Sequence, residues 1–454
     1  MLARGAYGVT NGFLQVLRER YGSDRYAEGT SHSGAPGADG RGLPIDTNRN
    51  FMFATGIECS YPTIGAGSIR RDQLEECGHY RHWREDLALV AELGLRYIRY
   101  GLPYYRVHRA PSQYDWDFCD EAMAEIERLG LTPILDLMHF GVPDWLGNYQ
   151  NPELPMHFAD YAETVARRYP WVRFFTPVNE MYVTARLSAF DGIWNEQLRT
   201  DQGFVTAMKH LAAASILASH RLLGVRRNCV IVQSESAEHT HDLRAIPSDE
   251  LTLRNKLGFL ALDLLYGHAP DAEVLCYLLD NGMSRDEYAW FMAGESPGFQ
   301  VLGIDYYGRN ERMLLPDGTM LFAEDVFGWY QMAKVYHQRY HRPLMHTETN
   351  LLDAHLAPNW LWKQWANILA MRGEGVPVLG FTWYSLIDQV DWDIALSEKR
   401  GKVNECGLFT MDRQPRAVAL AYRALLREFG QLTMVPHGEL FEITSGDARL
   451  KVRV

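Results

Sequence analysis

The chain has 454 residues, of which 47% are apolar and 22% charged, the balance of an ordinary globular protein. Its 45 basic and 57 acidic residues give a net charge of −12, which argues against a nucleic-acid partner because phosphate binding needs a basic surface. No stretch approaches the ~20 apolar residues of a membrane span, and no signal peptide is evident, so we expect a cytoplasmic protein. The six cysteines are scattered without zinc-like spacing and are interpreted as buried apolar residues.

Residues 1–50 differ from the rest of the chain and are predicted to form an N-terminal extension. The spacing of Phe13, Val16 and Leu17 allows a short amphipathic helix. The segment 28–42 is small, polar and rich in glycine, which predicts a flexible linker.

From Phe51 onward, short apolar runs alternate with longer amphipathic stretches such as 119–130, 157–169 and 203–223. Eight runs are predicted as strands: 51–58, 95–102, 132–140, 172–178, 229–235, 301–307, 342–348 and 378–386. Strands that alternate with helices indicate a parallel sheet with covered faces, and eight repeats favour a closed (β/α)8 TIM barrel over 51–431. The tail, 432–454, is predicted to be a β-hairpin with its turn at 445–447.

Reactive groups in such a barrel stand at the carboxyl ends of the strands. Here those ends carry His139, the pair Asn179-Glu180, the pair Tyr306-Tyr307, Glu348, and then Asp388, Asp391 and Trp392. Glu180 and Glu348 would face each other across the pore, which suits an acid/base and a nucleophile on either side of one glycosidic bond. Arg99, in the second strand, is the expected cation for the nucleophile. The rings of Trp392, Tyr384 and Trp145 offer stacking faces for sugars.

Several of these segments resemble glycoside hydrolase family 1, a β-glucosidase-like family, between Phe51 and about Phe429. The run 79–107 resembles a helix followed by the family's "YRFSISWSRI", which places Arg99 on its arginine. LMHFGVPDWL resembles "LYHWDLPQWL", which places His139 on a sugar-binding histidine. FFTPVNE resembles "TINEP", which implies that Glu180 is the acid/base and that Asn179 holds the 2-hydroxyl.

The second half of the barrel continues the resemblance. LGIDYYG resembles "LGINYY", with Tyr307 on the tyrosine that steadies the nucleophile, and HTETN resembles "ITENG", with Glu348 on the nucleophile. GFTWYSLIDQVDW resembles "GYFVWSLLDNFEW", which places Tyr384, Asp391 and Trp392 around the sugar. The resemblance implies a retaining β-glycosidase that needs no cofactor and takes a small-molecule or oligosaccharide glycoside.

Five positions depart from the family pattern. Met181 replaces a proline and Asp305 an asparagine; Tyr384 replaces a tryptophan, Asp391 a glutamate that grips the sugar, and Pro62 a sugar-binding glutamine. The catalytic half of the pocket therefore resembles the family, whereas the half that binds the far side of the sugar has changed. We expect the glycone to differ from plain glucose, unless Glu58 or another group substitutes for the lost side chains.

Four alternatives stay open at this point. The same barrel and carboxyl pair would serve an endo-acting glycosidase or a transglycosidase. A carbohydrate-binding protein without activity is a third reading, although both glutamates are present. A metal-dependent hydrolase is a fourth because of HTHD (239–242), for which a solvated loop is the simpler interpretation.

Asn404 and Cys406 replace the lysine and tyrosine of the 6-phospho branch, which disfavours a phosphosugar.

Overall fold

A computed structural model describes residues 12–21, 50–294, 296–434, 440–445 and 448–453. The predicted linker at 28–42 lies outside the described residues.

Eight parallel strands form a closed barrel, as the alternating pattern predicts. In chain order they are β1 Met52–Gly56, β2 Tyr97–Gly101, β3 Thr132–Asp136, β4 Phe174–Thr176, β5 Val230–Ser236, β6 Phe299–Asp305, β7 Leu344–Glu348 and β8 Val378–Tyr384. Each strand pairs with the next, and β8 pairs with β1 in the register Met52↔Gly380 to close the ring. The (β/α)8 fold class is confirmed.

Helices cover the outside of the barrel between successive strands. The helices are Phe13–Tyr21, Gln73–Glu76, His79–Glu92, Tyr104–Val107, Asp117–Arg128, Leu154–Arg168, Met181–Ala185, Asp201–Val225, Asp249–Leu257, Leu260–Leu265, Ala272–Asp280, Arg285–Ala293, Gly328–Tyr340, Ala357–Gly373 and Ala417–Phe429. Shorter strands lie in the connections, at Thr63–Ile64, Ile69–Arg70, His108–Ala110, Gln113–Tyr114, His239–Asp242, Glu311–Leu314, Met320–Glu324, Gln389–Val390 and Val403–Asn404. None of the described helices is long and apolar enough to cross a bilayer.

The helix Asp117–Arg128 shows why these segments fold as they do. Its buried residues recur at helical spacing, as Cys119, Ala122, Met123 and Ile126, so one face packs on the barrel. Acidic residues occupy its first turn and Arg128 its last, which complements the helix dipole. Gly130, with φ of 68°, lets the chain leave the helix for β3.

The barrel interior divides into an apolar floor and a polar mouth. Inward-facing residues from the first half of the strands make a separate core of Met52, Ala54, Tyr97, Ile134, Phe174, Val230, Val232, Phe299, Val301, Met345, Leu379 and Met434. This core fills the amino-terminal end of the barrel, so a ligand can be admitted only where the strands end.

Three appended elements join this body. Helix Phe13–Tyr21 lies against the outside of the barrel, where the Phe13 ring meets Trp290 at a centroid distance of 5.3 Å. The predicted hairpin forms as β9 Leu440–Ser445 and β10 Ala448–Arg453, and Ser445 pairs with Phe299 of β6. HTHD is a strand, not the expected loop, because His239–Asp242 pairs in register with Glu311–Leu314.

Candidate active site

Glu348 ends β7 and is surrounded by hydrogen-bond donors. The Arg99 guanidinium, reaching across from β2, donates to its Oε1. The Tyr307 hydroxyl donates to its Oε2 at 2.7 Å. A carboxylate that receives a cation and a phenol in this way is held ionised and fixed in orientation, which a nucleophile requires.

Arg99 links Glu348 to three more groups at the mouth. Its Nη2 donates to Asp136 at the end of β3 at 2.8 Å and to the Asn179 side-chain oxygen. His139 meets Asp136 through Nδ1 at 2.9 Å and the Asn179 side-chain amide through Nε2 at 3.1 Å. Burial opposes the charged form of His139, but the Cys59 sulfur and the Asp136 carboxylate together outweigh it and raise the pKa of the imidazole. The buried guanidinium thus orders residues from β2, β3, β4 and β7 around one point.

Glu180 sits beyond the end of β4 in a strained conformation. Its φ of 40° lies in the left-handed region, which non-glycine residues seldom adopt outside functional sites. The Glu180 N–H donates to the Ser234 carbonyl of β5 at 2.9 Å, and the Thr184 hydroxyl donates to the Glu180 carbonyl at 2.8 Å. These backbone bonds hold the side chain over the barrel mouth.

The Glu180 carboxyl has surroundings opposite to those of Glu348. It accepts no hydrogen bond from the residues that the structure describes, and the acids Asp305, Glu348 and Glu235 affect it more than the cation His139 does. Burial, then Asp305, then Glu348 and Glu235 raise the pKa of Glu180 well above its ordinary value. A carboxyl that retains its proton near neutrality can serve as a general acid.

Glu180, Asp305 and Glu348 bring their carboxyls together, with one oxygen from each within 4.8 Å of the others. Retaining glycosidases place their two carboxyls about 5–5.5 Å apart, whereas inverting enzymes leave about 6.5–9.5 Å for a water molecule. The approach of Glu180 to Glu348 therefore matches the retaining arrangement.

Comparison with known proteins agrees with this fold. The family model described as glycosyl hydrolase family 1 matches residues 34–250. Beta-glucosidase A of Thermotoga maritima is 21% identical over 428 residues, which cover 82% of this chain and 89% of that protein. The phospho-cellobiase of Klebsiella oxytoca is 22% identical over 407 residues, covering 80% and 86%. The solved family 1 β-glucosidase of Thermotoga maritima superposes with a TM-score of 0.69 at 16% identity, over 84% of this chain and 98% of that one, which shows the shared fold.

The chain is similar to glycosyl hydrolase family 1 over residues 34–250, and these matches together support a divergent member of that family. It is an enzyme that acts on O-glycosyl bonds, as the members of this family do.

Tyr384 and Glu58 line the mouth between β8 and β1, beside positions that depart from the family pattern. Tyr384, the last residue of β8, stacks on His139 with a centroid distance of 6.2 Å and an interplanar angle of 7°. Its hydroxyl donates to the Ile57 carbonyl at 3.1 Å, so the phenol closes the wall between β8 and β1. Glu58, just after β1, is buried and receives the Gln389 side-chain amide at 2.9 Å. Burial, partly offset by His139, raises the pKa of Glu58.

Asp391 does not join the carboxyl pair. Its side chain is fully buried and receives the Arg71 guanidinium at 2.9 Å. The backbone N–H groups of Arg400, Gly401 and Lys402 donate to the same carboxylate at 2.8–2.9 Å. Three of these donors converge on Oδ2 and one reaches Oδ1, so Asp391 fastens the loop after β8.

The aromatic residues predicted to stack on sugars lie in different places. Trp392 is half-buried against Phe140, which follows His139, and the two ring centroids are 5.9 Å apart. Trp145 packs on His108 and His157 and donates to the His108 carbonyl at 2.8 Å. Trp392 therefore lies near the mouth, whereas Trp145 belongs to the outer packing.

Among the described residues, two side-chain trios have the spacing of metal ligands: Glu180, Asp305 and Glu348, and also Cys59, Asp136 and His139. Arg99 already donates to one member of each trio, since it bonds both Glu348 and Asp136. A guanidinium thus supplies the positive charge at this point.

Asp136 and Glu235 are functional-site residues that the sequence reasoning did not single out. Glu235 ends the predicted strand 229–235, so the strand-end rule that found Glu348 would have found it as well. Asp136 ends the observed β3 but lies inside the predicted strand 132–140, which was four residues too long. Glu235 accepts the Met181 N–H at 3.1 Å and the Tyr182 N–H at 3.2 Å. Met181 stands where the family has proline, and a proline has no N–H for this bond, so the departure at Met181 and the acid at Glu235 belong together.

Proposed function

We propose that this enzyme hydrolyses a β-linked glycoside with retention of configuration. Glu348 attacks the anomeric carbon and forms a covalent glycosyl-enzyme, while Glu180 gives its proton to the leaving oxygen. Glu180 then takes a proton from water, which attacks the same carbon and releases the sugar and Glu348. In this proposal residues 51–431 are the catalytic barrel, and 1–50 and 432–454 are appended to it.

One observation carries this proposal: two carboxyls within 4.8 Å of each other lie in opposite electrostatic surroundings. Glu348 receives donors from Arg99 and Tyr307, which favour the ionised form that attacks. Glu180 has acids as neighbours, which favour the protonated form that donates. A nucleophile and an acid flanking one bond need this difference.

We further propose that Arg99, His139, Asn179 and Tyr307 bind the glycone side of the substrate or orient the nucleophile. All four belong to the hydrogen-bonded group that surrounds Glu348. Trp392 would complete the rim through its contact with Phe140.

The glycone that we propose differs from plain glucose. Pro62 has no side-chain donor or acceptor where the family has glutamine, and the Asp391 carboxylate is occupied by four donors. Hydrogen bonds worth roughly 1–3 kcal/mol each when buried are therefore missing on the far side of the sugar. Glu58, held by Gln389, is the acid nearest to take over part of that recognition.

A phosphorylated glycone is disfavoured in this proposal. Asn404 is buried, and its side-chain oxygen accepts the backbone N–H of Trp392. Cys406 is buried against Gln389. Neither side chain supplies a cation or a phenol to a phosphate.

A panel of nitrophenyl β-glycosides, assayed with the wild type and Glu348→Gln, tests the function. We expect at least one glycoside to be turned over and its kcat to fall by on the order of 10⁴-fold or more in the variant, because no other group can form the glycosyl-enzyme. The anomer released first, followed by NMR, should be the β-anomer.

Two results would count against the proposal. Release of the α-anomer first would mean inversion. A preference for the glucoside over all other glycones by about a hundredfold would refute the altered glycone, since roughly 1–3 kcal/mol per lost bond should erase such a preference.

A further inference from the structure

The barrel mouth contains more buried carboxyl groups than buried cationic groups. Six carboxyls lie there with exposures of 7% or less: Glu58, Asp136, Glu180, Glu235, Asp305 and Glu348. Facing them are the buried cations Arg99 and, if protonated, His139. Because an unpaired buried charge is costly, several of these carboxyls must keep a proton.

The partners of each acid indicate which ones stay ionised. Glu348 and Asp136 both receive the Arg99 guanidinium. Glu235 receives the backbone N–H groups of Met181, Tyr182 and Ser236, but no cation among the described residues. Within the same described part of the chain, Glu180 and Asp305 receive neither a cation nor a backbone donor within hydrogen-bond distance.

Asp305 is the buried acid that acts most strongly on Glu180. It ends β6, is fully buried, and accepts the Ser234 hydroxyl, which lies 2.7 Å from one oxygen and 2.9 Å from the other. The Thr347 and Ser234 hydroxyls both lower the pKa of Asp305, but neither supplies a positive charge. Burial, then Glu348, raise the pKa of Asp305 to about 7, against the opposing effect of Arg99.

We propose that Asp305 is a positioning residue for catalysis, which holds the proton on Glu180 and so extends the pH range in which Glu180 acts as the general acid. This inference rests on the proposed function only where it predicts a change in turnover. The effect of Asp305 on the proton of Glu180 does not depend on it. The resemblance gives asparagine at this place, so the chain has exchanged a neutral amide for a carboxyl within 4.8 Å of both catalytic glutamates.

The groups that face Glu180 include three acids, the cations His139 and Arg186, and the Tyr307 hydroxyl. Asp305, Glu348 and Glu235 raise the pKa of Glu180, and His139 lowers it. Arg186, in the turn after β4, also interacts with Glu180, but its guanidinium is paired with Glu238 at 3.1 Å. Of the three acids, Asp305 has the largest effect after burial.

The test is the pH dependence of kcat/KM for wild type and Asp305→Asn, with an alkyl β-glycoside that carries the glycone found in the panel. Asparagine keeps the shape and removes the charge, so the pKa of Glu180 should fall. The alkaline limb, where the acid loses its proton, should then move to lower pH by about 1 unit, and kcat/KM at a pH on that limb should fall about tenfold.

Two further variants make the result specific. Glu235→Gln removes an equally buried charge one strand away and should move the limb less. Ser234→Ala removes the donor to Asp305, favours its neutral form and should move the limb in the same direction as Asp305→Asn. A limb that does not move in Asp305→Asn, or that moves as far in Glu235→Gln, would overturn the inference.

A second measurement needs no turnover. The infrared band of protonated carboxylic acid, in a difference spectrum between wild type and Glu180→Ala, follows the proton on Glu180 directly. We expect this band to disappear at lower pH in Asp305→Asn, or in Ser234→Ala should the first variant not fold. A silent glycoside panel with a shifted band would count against the proposed function alone, whereas active enzyme with an unshifted band would count against Asp305 alone.

Discussion

Glu348 and Glu180 occupy the mouths of β7 and β4, and their surroundings are opposite. Around Glu348 the barrel supplies a guanidinium and a phenol. Around Glu180 it supplies acids, and the backbone bonds nearby hold the main chain while the carboxyl is left without a donor. The comparison teaches that one side-chain type can serve as an attacking carboxylate or as a proton donor, and that the neighbours decide which.

The largest effect should come from removing the cation on the Glu348 side. Arg99→Met would leave Glu348 and Asp136 buried without their partner. Breaking a buried ion pair in this way costs about 3–5 kcal/mol, so the urea midpoint should fall strongly and turnover should be lost.

Arg84→Met is the matched control for this loss. Arg84 pairs with Glu121 at 2.9 Å on the surface, and both side chains are more than 60% exposed. Its removal should change stability by about 0.5 kcal/mol or less. Equal losses in the two variants would mean that Arg99 is not the electrostatic centre of the site.

On the other side of the comparison, Glu180→Ala should act selectively. Without the acid, kcat/KM for alkyl or sugar leaving groups should fall by about 10²–10⁴-fold. A nitrophenyl leaving group needs little protonation, so its cleavage should fall much less and lose its alkaline limb. Kinetics across a series of leaving groups measure this, and a uniform loss for all of them would refute the role of Glu180.

A smaller effect should follow from Tyr307→Phe, which removes one donor from Glu348 and keeps the cation. A hydrogen bond to a charged group is worth about 1.5–3 kcal/mol, so kcat should fall about tenfold to a hundredfold. Tyr306→Phe is the control, because the Tyr306 hydroxyl donates to Glu311 at 2.6 Å and not to the catalytic pair. If the two variants lose activity equally, the Tyr307 hydroxyl has no special part.

The sequence made the barrel predictable because strand and helix periodicities differ and alternate eight times. It also placed Glu348 at the end of a strand and Glu180 shortly after one, because the apolar runs that predict these strands lie directly before them. Strand lengths were harder: β4 was expected at 172–178 and spans Phe174–Thr176. Beyond it the chain stays near β5 through a single bridge from Asn179 to Ser234, which no periodicity signals.

The environment of Asp391 could not be predicted in the same way. Its position in the motif suggested a sugar ligand, but the structure gives its carboxylate to Arg71 and three backbone N–H groups. That outcome depends on how the loop after β8 folds back on β1, which is a long-range contact. The cluster of buried carboxyls at the mouth could not be predicted for the same reason. Glu58, Glu235 and Asp305 come from three separate parts of the chain, which only the closed barrel brings together.

The helix Phe13–Tyr21 has a practical consequence for preparing the enzyme. Phe13, Leu14 and Leu17 are buried, and Phe13 covers the rings of Trp290 and Phe291. A shortened protein that started at Phe51 would uncover this aromatic surface, and exposed apolar patches promote self-association. A protein truncated to the barrel would therefore be prone to self-association. An oligomer formed in this way would reflect the truncation and not the native enzyme.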